Sequence, residues 1–254
     1  MNAARVRAPL PCPVSALQTI VLLPESFVDK ELLFVACTAG AKEQTRLYHS
    51  LVKLGYHEQA RFFERLPANI PAEFNRVLSD PAVADKIVVF VRDDVMIADL
   101  FVRQKLNEAV ATHGFTITGI AGSATFNFRF DQSPNVWNDG PGEGLSGAYE
   151  LQGDGVEAIW TSFGHTPRRC VTLDGALLAV DMATIGALRF DESLPQHFYD
   201  LDLCLAANGQ GLKLGTMNVY VSRRQPTATN DVFLLAAQNG FRAKWSARLR
   251  NPGS

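Results

Sequence analysis

The order of apolar and amphipathic segments predicts an α/β fold with a central, mostly parallel mixed sheet flanked by helices. Leu32–Cys37 and Ile87–Val91 are apolar without interruption, as strands covered on both faces are. Between and after them lie stretches of helical period, the pattern of βαβ units. Composition agrees with one large domain: the chain has 254 residues, 47% hydrophobic and 20% charged. A chain of this size buries roughly three quarters of its unfolded surface.

Residues 1–30 read as an N-terminal tail. Arg5 and Arg7 precede Pro9, Pro11 and Pro13, which interrupt any apolar run, so no secretory signal is expected. The strand Leu32–Cys37 is closed by Thr38-Ala39-Gly40 and followed by a helix over Lys42–Leu54, with Leu47, Leu51 and Leu54 on one stripe and Gly55 as its stop. A short strand fits Gln59–Phe63, and a helix fits Pro71–Leu78, with proline tolerated in the first turn. Ile87–Val91 is the best central strand and ends in Arg92-Asp93-Asp94. A helix over Asp99–Thr112 leads to a strand over Phe115–Ala121.

Between Asp131 and Gly155 the periodicity stops among six glycines, Pro134, Pro141 and Trp137, an irregular stretch long enough to be functional. Order returns as a strand over Val171–Leu178 and a helix over Met182–Leu188. A further helix starts near Phe198-Tyr199-Asp200 and ends at Asn208-Gly209. Leu212–Val221 closes the sheet. The expected core domain is 31–225, followed by a basic, helical segment over 226–254. In that segment Trp245 stands among Arg242, Lys244, Arg248 and Arg250. Either it packs on the domain with a solvated basic face, or it makes peripheral contact with an anionic membrane.

A net charge of −2 excludes a generally basic nucleic-acid binder, and no apolar run approaches the ~20 residues that span a bilayer. Cys12, Cys37, Cys170 and Cys204 share no metal-binding spacing, which suits free thiols in a reducing, cytoplasmic compartment.

Ligands of open α/β sheets gather outside the C-terminal strand ends, where Asp93 and Asp94 lie. Adjacent carboxylates there suit Mg2+ or Mn2+ on a diphosphate; the alternative is a solvated turn in which Asp94 caps the next helix. Asp200 at a helix start is either a cap or a base that takes a proton from a sugar hydroxyl.

Phe90-Val91-Arg92-Asp93-Asp94-Val95, Leu173-Asp174-Gly175-Ala176-Leu177-Leu178, Phe190-Asp191-Glu192 and His197-Phe198-Tyr199-Asp200-Leu201-Asp202-Leu203-Cys204 occur in that order. Together with Ile70-Pro71-Ala72-Glu73-Phe74-Asn75 they resemble GT-A glycosyltransferases, closest to the bacterial glycosyltransferase-like branch of inverting family two. The resemblance spans Leu32 to Val221. It implies a GT-A fold and a UDP- or GDP-linked sugar donor. The acceptor would be a glycan or lipid-linked glycoconjugate of a bacterial surface. Asp94 would ligate Mn2+ or Mg2+, and Asp200 would be the base. Thr38, Asn75, Arg92, Asp93, Asp174, Gly175 and Arg223 would border the donor, and Trp137 and Asp202 the acceptor.

Two positions depart from the family pattern. Arg92 stands where the metal motif prefers Asp or His, and Ser222-Arg223-Arg224 replace a late metal-binding His. Arg92 and Arg223 either substitute in part for the metal through guanidinium–phosphate pairing, or face solvent. Trp137 and Trp160 either stack on an acceptor sugar or anchor a loop. Three functions stay in play: an inverting glycosyltransferase, a non-catalytic GT-A-shaped nucleotide-sugar module, and a nucleotidyltransferase, whose phosphate loop after the first strand is not apparent.

Overall fold

A computed structural model describes residues 29–126, 144–152, 158–224 and 232–250. The elements run β1 (Leu32–Cys37), α1 (Arg46–Leu54), β2 (Ala60–Phe63), α2 (Ile70–Leu78), β3 (Ile87–Val91), β4 (Val95–Ile97), α3 (Val102–Ala111), β5 (Ile117–Gly119) and β6 (Ala121–Ser123). They continue β7 (Leu145–Gln152), β8 (Ile159–Gly164), β9 (Arg168–Cys170), β10 (Thr172–Leu173), β11 (Leu177–Asp181), α4 (Tyr199–Gly209), β12 (Leu214–Thr216), β13 (Val221–Arg224) and α5 (Val232–Arg250).

The main sheet has seven strands in the order β2-β1-β3-β11-β5-β12-β9. β2, β1 and β3 are parallel. β11 opposes both β3 and β5, and β5 and β12 are parallel again, so most strands share one direction, as expected. Every residue of β3 is buried. Ile87, Val89 and Val91 face the layer containing Leu47, Leu51 and Leu106 of α1 and α3. Val88 and Phe90 face Phe74 and Val77 of α2 and Leu203 and Cys204 of α4. Two-sided cover is what removes alternation from the strand's sequence. A third cluster joins Leu201 and Leu205 of α4 to Phe241 and Trp245 of α5.

A second sheet has the order β10-β6-β7-β13-β4, with β8 paired to β7. Its strands account for most departures from the sequence reading. The expected strand Phe115–Ala121 is two three-residue strands: β5 in the main sheet and β6 in the second, the chain changing sheet at Ile120. Val171–Leu178 likewise divides into β10 and β11 around Asp174-Gly175. Part of the stretch read as irregular is β7, and β4 and β8 are further strands that sequence periodicity did not reveal. The expected helix over Met182–Leu188 is a pair of turns on Asp181, with Gly186 at φ 59°, a left-handed conformation that ends helical continuation. Lys42–Leu54 is a 3-10 turn followed by α1, because Thr45 takes an extended conformation and its hydroxyl caps Tyr48.

Candidate active site

β3 ends at the edge where β11 begins, because the two are antiparallel with Leu177 opposite Val91. The Arg92 N–H donates to the Ala176 carbonyl at 3.1 Å, which ties the Arg92-Asp93-Asp94 turn to the Asp174-Gly175 turn. A cavity of about 270 Å³ opens at this edge. Its wall includes Cys37 after β1, Phe74 of α2, Phe90 to Asp93, Gly175, His197 and Tyr199 at the start of α4.

Asp200 reaches the same edge from α4. Its Oδ2 accepts the Gly175 N–H at 3.1 Å. Burial raises the Asp200 pKa above the usual carboxylate range and the nearby Asp174 raises it further, against the Leu201 and Gly175 N–H groups that favour its charge. A β-carbon on residue 175 would lie 2.4 Å from Asp200 Oδ2, so only glycine lets the carboxylate sit there.

Asp174 closes its own turn, accepting the Ala176 N–H at 2.8 Å. It pairs with the Arg223 guanidinium, whose Nη1 lies 3.3 and 3.5 Å from its two oxygens. Arg223 is 7% exposed and stands 5.6 Å over the Tyr149 ring, so it is not a solvated surface residue. Burial pushes the Tyr149 hydroxyl up to about 12, with Asp174 adding to the rise. Asp94 is held by Arg92, Nε to Oδ1 at 2.9 Å and a terminal nitrogen to Oδ2 at 3.3 Å.

Asp94, Arg92, Asp174, Gly175, Arg223 and Asp200 thus form one connected group, with Asp93 on the cavity wall. Other expected site residues are engaged elsewhere. Thr38 is buried, its N–H donating to Phe63 and its carbonyl accepting from Leu66. Asn75 spends its amide on the Phe190 backbone and on Glu192. Asp202 is 1% exposed and faces α5, accepting from Trp245 Nε1 at 2.7 Å and from Lys244. Trp245 and Lys244 therefore turn inward and not toward a membrane surface. Trp160 is half-exposed and stacks on Tyr220 at 5.1 Å. Trp137 lies outside the described residues. No helix among the described residues is long and apolar enough to cross a membrane.

The sequence reading missed two residues. Arg46, opening α1, bonds Ser222 at 2.8 Å beside Arg223, while its neighbour Leu47 donates to the Asp93 carbonyl at 3.2 Å. Tyr149 lies on a strand that the sequence did not reveal. Neither residue carries a local motif.

No family model matches the chain, and no curated protein matches it. Solved structures do. The crystal structure of GalNAc-T7 with UDP, GalNAc and Mn2+ superposes with a TM-score of 0.54 at 10% identity, over 85% of this chain and 48% of that one. The architecture is the GT-A fold. This chain spans about half the length of that GT-A neighbour. A197 from STIV aligns at a TM-score of 0.45 and 11% identity, over 79% of this chain and 97% of that one. The inositol-1-phosphate CTP transferase from T. maritima aligns at 0.37 and 11%, over 84% and 97%. These two scores are too low to bear on the fold.

On this GT-A edge, Asp94 was expected to hold Mn2+ or Mg2+. Such ions need several oxygen ligands. Here both Asp94 oxygens already accept from the half-exposed Arg92 side chain. Among the described residues no three His, Cys, Asp or Glu side chains are grouped to share a metal ion. The donor set does not fit a divalent cation.

Proposed function

We propose that the chain is an inverting glycosyltransferase, moving a sugar from a UDP- or GDP-sugar to a hydroxyl of a glycan or lipid-linked acceptor. The supporting observation is the Asp200 carboxylate, raised in pKa and accepting the N–H of Gly175, a residue that lines the cavity at the C-terminal sheet edge, as does Tyr199 next to Asp200. In this reaction the acceptor oxygen attacks the anomeric carbon on the face opposite the diphosphate. The new C–O bond forms as the bond to the diphosphate oxygen breaks, and that electron pair leaves with the diphosphate. The acceptor's proton passes to Asp200. One displacement inverts the anomeric configuration, and a carboxylate of raised basicity is the better proton acceptor.

The test is release of free sugar from UDP- and GDP-sugars without acceptor, water taking the acceptor's place. Asp200→Asn is expected to lower release by about a hundredfold or more. The acid limb of the wild-type pH–rate profile is expected above the ordinary aspartate value of about 3.9. Because the folded pKa is raised, protonation stabilises the native state fully below the ordinary value, and that stability is lost as pH rises through the higher folded-state pKa. The uncharged Asn therefore leaves the melting temperature at pH 7 unchanged or higher, which separates lost chemistry from lost fold. No release from any donor would favour the second reading, a non-catalytic nucleotide-sugar binding or scaffolding module. That reading draws on Arg92 occupying Asp94.

A further inference from the structure

The donor set that does not suit a metal ion carries cations of its own. Arg223, from β13, faces Asp174 with one nitrogen only, although its charge is almost completely buried. Its Nε is buried and has no hydrogen-bond partner among the described residues. Taking a guanidinium out of water costs several kcal/mol, which native proteins offset by pairing the charge and filling its donors. Here the pairing is one-sided and a donor is idle. Arg92 lines the cavity: its side chain is bonded to Asp94, and its N–H donates at 3.1 Å to the Ala176 carbonyl, in the turn that carries Asp174. The Asp174-Gly175-Ala176 turn is thus tied to both arginines, to Arg223 through the Asp174 carboxylate and to Arg92 through its backbone N–H.

We propose that Arg92 and Arg223, in place of a divalent ion, hold the diphosphate of the nucleotide donor, so that the site binds its donor without metal. The proposal rests on the nucleotide-sugar reading above. Diphosphate oxygens match the spacing of guanidinium donors, and such charge-assisted bonds are roughly twice as strong as neutral ones. The diphosphate supplies the acceptor that Arg223 Nε lacks. It takes Arg92 from Asp94, exchanging one anion for another without moving a charge into an apolar place. When the sugar departs, the negative charge gained by the diphosphate falls on the same two cations. A Mn2+ ion would likewise have to displace Arg92 from Asp94, and would then stand beside two positive charges that repel it.

Calorimetric titration of the full chain with UDP and GDP decides the matter, each compared with its monophosphate, once in EDTA and once in Mn2+. The diphosphate is expected to bind equally well in both and more tightly than the monophosphate. Arg92→Gln is expected to weaken binding by roughly tenfold or more. Arg223→Lys keeps the buried charge but loses the fork, and is expected to weaken it similarly with the melting temperature preserved. Binding that requires Mn2+, or binding indifferent to both substitutions, overturns the proposal and leaves the transferase reading standing. Failure of both diphosphates to bind in either condition overturns both.

Discussion

At residue 175 the absence of a side chain is a functional requirement. A β-carbon there would meet Asp200 Oδ2 at 2.4 Å and its Cγ at 2.9 Å, distances that atoms do not tolerate. Gly175→Ala must therefore move the carboxylate, lengthen the Gly175 N–H bond, or both. A misplacement of about 1 Å costs near a hundredfold in rate, and the overpacking costs about 1–3 kcal/mol. Donor turnover and thermal denaturation of this variant are expected to show both losses; unchanged turnover would mean that Asp200 is not the base. The resemblance of their short blocks to GT-A glycosyltransferases made Asp200, Asp174 and Gly175 legible as one constellation; spacing alone left Asp200 open as a helix cap. Asp202 shows the limit of such reading. It lies two residues from Asp200, and on a helix that spacing points to different sides. Its carboxylate goes to Trp245 and Lys244, contacts that the local sequence does not encode.

Among the elements, α4 and α5 act together. Phe198, immediately before α4, has φ 62°, a left-handed conformation that costs a bulky residue of order 1–3 kcal/mol and persists only where surroundings enforce it. Those surroundings come from α5: Phe241 is fully buried 5.7 Å from the Phe198 ring, and Trp245 bonds Asp202. Lys244 also reaches Asp191 at 2.6 Å. Burial alone would raise the Asp191 pKa, but Lys244 and Ser193 hold it down to about 2. Trp245→Ala removes a packed ring and leaves Asp202 short of a donor. It is expected to cost about 3–5 kcal/mol, a fall of about 10 °C in melting temperature for a chain of this size. A change under about 2 °C would contradict a structural role for the α4–α5 contacts. The elements that sequence reading located, β1, β3 and α4, are long enough to carry a period or an unbroken run. β5, β6, β9 and β10 are two or three residues each, too short for periodicity to register. Their pairing comes from chain segments far away in sequence, which no local window contains.

The whole molecule is a two-sided main sheet with a second sheet continuing from the strand ends that carry the site. β3 runs into β4 through Arg92-Asp93-Asp94, and β10 runs into β11 through Asp174-Gly175. These two crossings between the sheets fall at the same edge, and α4 brings Asp200 to it. This convergence is the physical reason that residues more than a hundred positions apart form one site. It also explains why composition and charge, which are averages over the chain, indicate a domain but no chemistry. The most direct measurement is amide hydrogen exchange of the full chain with and without saturating UDP or GDP. Slowed exchange is expected at residues 92–95, 174–176 and 199–203 with at least one of the two nucleotides. Protection confined to other segments, or none with either nucleotide at concentrations that saturate GT-A enzymes, would contradict it.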